Sequence, residues 1–421
     1  MQQDAIKEKV NFYLINDTDF LKVKDKMNED QLRVFVDRAI TTLCAEHKIE
    51  ITLEVRSQII RQLVTAGMSM GPIRPLMEDK TITEIMINGP KEIYIQRSGK
   101  ITLTDIQFQD ERELFHTVQK ILAASGTNKR IDESSPYVDF SIADGSRINV
   151  IIPPCSVIGP VMTIRKFNDN IGTVDDLLAL KMFDKKIAAL LIAAMKAKLN
   201  VIFCGSTGAG KTTALNVFSR HIPEEERIVT IEDTPELRLL QKHVVTLATK
   251  ASNIEGKGEI TIKDLFRNSL RMRPDRIIIG EIRGPEVLDF VQSISSGHSG
   301  SLAIVHAETA EDCFNRMVTM MLMAGIRLST EEMQKQIARA IDIIVHIELF
   351  FDGRRRVTTV TDICFDEKTK NIVYHDIFKF VQRGKSESGE IMGEWVKNKN
   401  KPSFYHKFEK RMVSLPEGFF E

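Results

Sequence analysis

The sequence predicts an α/β protein: a parallel-sheet domain, a small α+β domain ahead of it and a helical segment at the start. Three observations carry this. Short apolar β-prone runs alternate with helical patterns after residue 173, as in parallel sheets. The apolar period is two between about residues 76 and 167, with one helix among the strands. The stretch NVIFCGSTGAGKTT, residues 200–213, joins a strand to a helix through a glycine-rich turn. Of 421 residues, 43% are hydrophobic and 28% charged, ordinary values for a globular chain.

Residues 1–75 form the first expected module. Leu32, Val36, Ala39, Ile40 and Leu43 recur at helical spacing, as do Val55, Ile59, Ile60, Leu63 and Val64. GPIRP at 71–75 ends it. The small α+β domain spans 76–167. Glu84–Asn88, Glu92–Arg97 and Ile101–Phe108 read as strands, and Glu111–Ala124 as a helix with Leu114, Val118, Ile121 and Leu122 on one face. Val138–Ile142 and Arg147–Ile152 form a hairpin across Asp144-Gly145, and Val161–Phe167 is a further strand.

Residues 168–172 read as a hinge, and 173–421 as the parallel-sheet domain. Thr173 and Asp176 have capping-box spacing. Strands are expected at Asn200–Cys204, Ile228–Ile231, Arg276–Ile279 and Leu302–Val305, and a helix near Glu331–Ala340. Met317–Met323 reads as core. Ile343–Phe350, Arg356–Phe365 and Ile372–Phe380 form an antiparallel appendage, and the polar tail from Arg383 reads as solvated surface.

Gly205–Thr212 spells G-x-x-x-x-G-K-[ST], a phosphate-binding loop in the strand–loop–helix context the motif requires. Gly205, Ser206, Thr207, Gly208, Ala209 and Gly210 cradle phosphate oxygens with backbone N–H groups. Lys211 reaches the β- and γ-phosphates, Thr212 offers a hydroxyl to Mg²⁺, and Thr213 continues the helix start. The expected ligands are therefore ATP and Mg²⁺. Two strands end in acids, at Glu232-Asp233 and at Glu281. One carboxylate suits water activation and the other Mg²⁺, directly or through water; the sequence leaves open which is the base. His298 and His306 flank one apolar strand and suit γ-phosphate sensing or water ordering. Arg147 and Arg165, and in a loop Arg130, are candidates to stabilise phosphoryl charge, as are Arg271, Arg273 and Arg283.

Lys+Arg and Asp+Glu are both 58, so net charge is zero, against the basic surplus of nucleic-acid proteins. The 5 cysteines include no C-x-x-C pair, which argues against structural zinc and a disulfide framework, and free thiols suit a reducing cytosol. No apolar run is long enough for a membrane span.

IEDTPELRL at 231–239, LRMRPDRIIIGEIRGPE at 270–286 and SSGHSGSLAIVHA at 295–307 resemble the acidic, Walker B and histidine boxes of the secretion ATPases of type II secretion, type IV pili and type IV secretion. TITEIMINGPKEIYIQRSGKI at 81–101, KRIDESSPYVDFSIADGSRINVIIPP at 129–154, TIRKF at 163–167 and GRRRVTTVTDI at 353–363 resemble the CpaF branch, which drives tight-adherence (Tad) pili. The resemblance covers about 76–385. It implies a RecA-like P-loop ATPase domain and a homo-hexameric ring, docked through partners on the cytoplasmic face of an inner-membrane platform. It assigns Glu232, Glu281, His298 and His306 to the family's boxes, and Arg147 and Arg165 to arginines that the smaller domain presents to the phosphates. The cysteines that bind a metal in some pilus-extension relatives are missing here.

Overall fold

The computed structural model describes residues 29–47, 51–53, 55–57, 59–60, 70–97, 99–127, 129–167, 171–250, 252, 257–387 and 389–420. The chain divides into two compact units, 1–168 and 169–421. The expected hinge straddles that boundary, and its first three residues lie outside the described ones.

In the first unit, α1 (Glu29–His47) buries Val36, Ala39, Ile40 and Leu43 together with Ile59. Leu63 and Val64 lie outside the described residues. After α2 (Arg74–Glu78) come β1 (Ile82–Asn88), β2 (Ile93–Arg97) and β3 (Lys100–Leu103), then α3 (Glu111–Ala124). Asp110 caps α3 by accepting from the Glu113 N–H. β4 (Tyr137–Ser141), β5 (Arg147–Ile151) and β6 (Val161–Arg165) complete a sheet of order β3-β2-β1-β6-β5-β4. The expected third strand, to Phe108, is shorter. After Thr104, whose N–H still donates to the Ile93 carbonyl, the backbone leaves the ladder, because Phe108 turns into the core and its N–H goes to the Pro90 carbonyl.

The second unit opens with α4 (Val174–Ala179), whose Thr173–Asp176 capping box forms, and α5 (Lys185–Lys196). There follow β7 (Val201–Gly205), α6 (Lys211–Ser219), β8 (Ile228–Glu232), β9 (Val244–Ala248) and α7 (Ile262–Ser269). Next are β10 (Arg276–Ile279), α8 (Glu286–Ser295), β11 (Leu302–His306), α9 (Ala310–Met323) and α10 (Thr330–Ala340). The antiparallel part contains β12 (Ile343–Leu349), β13 (Arg355–Phe365), β14 (Ile372–Lys385) and β15 (Ile391–Lys397), and α11 (Tyr405–Lys410) closes the chain.

The sheet order is β15-β14-β13-β12-β7-β11-β10-β8-β9. Pairing is parallel from β12 to β9 and antiparallel from β12 to β15. This is an α/β fold of the phosphate-loop class. β7 and β8 are buried at every residue, as strands covered on both faces must be. Of the expected core run Met317–Met323, Met317, Val318, Met320 and Met321 are buried, but Leu322 and Met323 are exposed at the end of α9.

Two expectations are corrected. β9 was not foreseen: it is a half-exposed edge strand, so its apolar pattern is diluted. The tail is not simply solvated surface. β14 runs on to Lys385, β15 adds a strand, and Phe404, Phe408 and Phe419 are buried against the main core. The Phe408 ring meets those of Phe404 and Tyr405 at centroid distances of 5.8 and 6.1 Å. Phe408→Ala therefore lowers stability by about 3–5 kcal/mol in urea unfolding, the cost of emptying a buried aromatic site; a loss under about 1 kcal/mol would mean the tail is not part of the core.

Candidate functional site

At the carboxyl edge of the parallel strands, β7 passes directly into the phosphate loop. Gly205 (φ +149°) is forced here: an added Cβ would lie 2.0 Å from the Ile347 carbonyl oxygen of β12. No side chain fits, so the loop starts against its neighbour's backbone. Gly208 and Gly210 take φ of +77° and +95°, the left-handed region that reverses the chain before α6. Ser206 and Thr207 are exposed, Ala209 is buried, and Thr212 and Thr213 lie half-buried in the first turn of α6.

Lys211 is buried, with its ammonium folded back to donate to the carbonyls of Gly205 (3.0 Å) and Ser206 (2.7 Å). Its Nζ also stands 3.4 Å from His306 Nδ1. His306 ends β11 opposite Gly205 in register, so strand pairing sets this contact. On the other side of the ring, His306 Nε2 lies 3.4 Å from Glu281 Oε1. Lysine can only donate, so Nδ1 is the acceptor and Nε2–H faces the carboxylate. Glu281 Oε2 accepts from Arg283 Nη2 at 2.6 Å. Lys211, His306, Glu281 and Arg283 thus form one continuous polar chain.

The loop carrying Glu281 is held from below. Glu286, in the first turn of α8, accepts from the N–H groups of Arg283 (2.7 Å) and Gly284 (2.9 Å). Glu232, buried at the end of β8, accepts from the N–H groups of Glu236 (2.8 Å) and Leu237 (3.0 Å). Its side chain crosses the start of the loop after β10, where a Cβ on Gly280 would sit 2.7 Å from Glu232 Cγ. The glycine at 280 is therefore a packing requirement of Glu232.

His298 does not join this group. It precedes β11, whose Leu302 pairs with Val201 at the start of β7. It is therefore at the amino edge of the sheet, with β11 between it and His306. Four residues of strand rise place Leu302 and His306 about 13 Å apart. Reaching the phosphate loop of its own chain, as the sequence suggests, runs against strand direction.

Arg147 and Arg165 belong to the first unit, directly opposite each other on β5 and β6. Two like charges in that relation disfavour the sheet unless an anion is near. Arg165 Nε lies 3.6 Å from Glu84 Oε1 on the next strand. Arg130 meets Ser134 and Asp132.

Two further residues touch the site and were given no role from sequence. Arg316 of α9 donates to the His306 carbonyl at 3.1 Å. Arg355 of β13 donates through Nε to the Gly208 carbonyl at 2.8 Å. The run Arg354-Arg355-Arg356 after a turn was visible in the sequence, but its target lies far earlier in the chain.

The model of the family described as type II/IV secretion system protein matches residues 67–368. The chain belongs to that family. A Mycobacterium tuberculosis protein named "Putative conjugal transfer protein" is 31% identical over 307 residues, 72% of this chain and 86% of its own. The type IV secretion system protein VirB11 of Brucella suis is 28% identical over 339 residues, 74% of this chain and 93% of its own. The crystal structure of the VirB11 ATPase of Brucella suis in complex with sulphate aligns over 74% of this chain and 97% of that one, with 27% identity and a TM-score of 0.38. Among the described residues of this type II/IV secretion-family chain, no helix is long and apolar enough to cross a membrane.

Burial first, and then the Lys211 cation, hold the His306 imidazole below its ordinary value of 6.5, against the opposing pull of Glu281. The folded chain thus binds this proton less readily than the unfolded chain. Stability from this group is intact above pH 6.5 and falls as pH drops through that value. His306→Asn should flatten that part of the curve of unfolding free energy against pH between about 5 and 7.5. An unchanged slope would show that His306 is not held neutral.

Proposed function

We propose that this chain is an ATP-hydrolysing motor of the secretion and pilus class. It works as a homo-hexamer, held by partners on the cytoplasmic face of the cell membrane. There it powers Tad-type pilus assembly by moving pilin through an inner-membrane platform. The observation that carries the catalytic part is the chain Lys211–His306–Glu281–Arg283 beside the phosphate loop. In this reading Lys211 exchanges the Gly205 and Ser206 carbonyls for phosphate oxygens, which are stronger acceptors for a cation. Glu281 orients or deprotonates the attacking water, and neutral His306 holds Glu281 in line with Lys211. Glu232 supports the loop after β8, and Arg147 and Arg165 supply positive charge to the phosphates.

Mg²⁺ fits the residues present. Among the described residues no cluster of three or more His, Cys, Asp or Glu could hold a metal. Mg²⁺ needs no such cluster, since it takes one or two protein ligands and completes its shell with phosphate and water. The Thr212 hydroxyl would hold it, with Glu232 or Glu281 directly or through water. When bound, it neutralises phosphate charge.

The segments at 81–101 and 353–363 support the Tad branch. A second reading, an export ATPase of type IV secretion, is favoured by the Mycobacterium tuberculosis and Brucella suis relatives. Pilus assembly against substrate export in a deletion strain separates the two. Zero net charge weighs against a nucleic-acid-handling role.

The catalytic reading is tested by Mg²⁺-dependent ATPase activity together with oligomer mass. Lys211→Ala should abolish nucleotide binding. Glu281→Gln should keep binding and lower turnover by roughly 10²–10⁴-fold, the usual share of a general base. Wild-type protein that binds ATP tightly without turnover, alone and with its platform, would instead be a nucleotide switch.

A further inference from the structure

The phosphate loop is bracketed by the β12–β13 hairpin as well as by its own strand. At its start the Ile347 carbonyl blocks any side chain at Gly205. At its turn, Arg355 donates to the Gly208 carbonyl. The Arg355 Cδ also lies 3.1 Å from where a Cβ on Gly210 would stand. Arg355 thus lies along the two glycines that turn the loop, from 147 residues away in sequence.

The hairpin that presents Arg355 is rigid for a reason that can be read residue by residue. Side chains alternate along a strand, so Arg354 and Arg356 point away from Arg355. Arg354 pairs with Glu390 at 2.7 Å. Arg356 is buried and bidentate on Asp352, at 3.1 and 2.8 Å. It also lies over the Phe350 and Phe380 rings, 5.0 and 5.6 Å from their centroids. Asp352 accepts in turn from the Ile391 N–H at 2.9 Å, and Arg356 donates to the Ile391 carbonyl at 3.1 Å, which ties the turn to β15. Only the middle arginine is directed at the loop.

We infer that Arg355 is a positioning residue for nucleotide binding: by holding the Gly208 carbonyl it keeps the turn of the phosphate loop closed in its shape, and it adds a cation beside the phosphates. Carbonyl and N–H of a peptide unit point in opposite directions, so fixing the Gly208 carbonyl also fixes the Ala209 N–H, which donates across the turn to the Ser206 carbonyl at 3.3 Å. The ligand class is a nucleoside di- or triphosphate. The C-terminal strands thereby take part in nucleotide affinity. The inference rests on the phosphate-loop reading above and deepens it.

The test is calorimetric binding of MgADP to the full chain, with ATPase kinetics beside it. Arg355→Ala should raise the MgADP Kd and the KM for ATP about tenfold, the effect of one charge-assisted hydrogen bond, with kcat changed less than about threefold. Arg355→Lys, which keeps the charge and one donor, should recover part of the affinity. Thermal unfolding without nucleotide should match wild type, while the upward shift in Tm on adding MgADP shrinks. Wild-type affinity in Arg355→Ala overturns the inference, as does an equal fall in Tm with and without nucleotide. Failure of the wild-type protein to bind MgADP overturns the phosphate-loop reading itself.

Discussion

The site depends on how closely β7 approaches β12 at the point where the phosphate loop begins. The backbone of Gly205 lies against the Ile347 carbonyl with no space for a methyl group. That contact fixes where the loop leaves the sheet, and the parallel register then decides what else is in reach. His306 falls opposite Gly205 on one side of β7, and Cys204 lies opposite His346 on the other. Behind the loop, Phe203 of β7 stacks on Phe218 of α6, both fully buried. Strand and helix therefore cannot shift relative to each other without opening a cavity.

Much of this frame is legible in the sequence. Buried parallel strands are short apolar runs, and residues at their carboxyl ends face the ligand edge whatever the details of packing. That is why Glu232, Glu281, Lys211 and His306 could be placed near one another from their positions alone. The helix at 111–124 was readable from its amphipathic face alone, and the structure adds the Asp110 cap at its start. The division of labour between the two glutamates was not readable. The structure distinguishes them by their partners: Glu232 accepts from backbone N–H groups, whereas Glu281 faces His306 and Arg283.

The misplacements share a physical origin. His298 and His306 look equivalent as two histidines around one apolar strand, but a parallel strand has a ligand edge and a far edge. The far edge here is occupied by structure of another kind. Arg276, fully buried, donates to Glu226 at 2.5 Å and to the Met195 carbonyl at 2.5 Å, and Asn200 accepts from the Gly300 and Ser301 N–H groups. The tail misleads for a different reason. Phe404, Phe408 and Phe419 carry its burial but are separated by lysines and glutamates that remain outside, so no periodic signal accumulates. Arg355 is invisible in the same sense, since its meaning lies in a carbonyl far back in the chain.

The polar chain at the site also bears on mechanism. Lys211 and Arg283 are cationic, Glu281 is the acid between them, and His306 is held neutral by its burial and by Lys211. The Lys211 ammonium donates to a pair of backbone carbonyls, which are dipoles and not charges. A polyphosphate entering the loop offers full negative charge at the same place, and charge-assisted bonds are roughly twice as strong as neutral ones. Lys211 must then turn from the carbonyls toward the ligand. His306 loses or lengthens its contact with the ammonium, and through Nε2–H the change is passed to Glu281 and on to Arg283. On the proposed reading, nucleotide occupancy and the orientation of Glu281 are linked through Lys211 and His306. The link needs no movement of the sheet, only the exchange of one cation's partners.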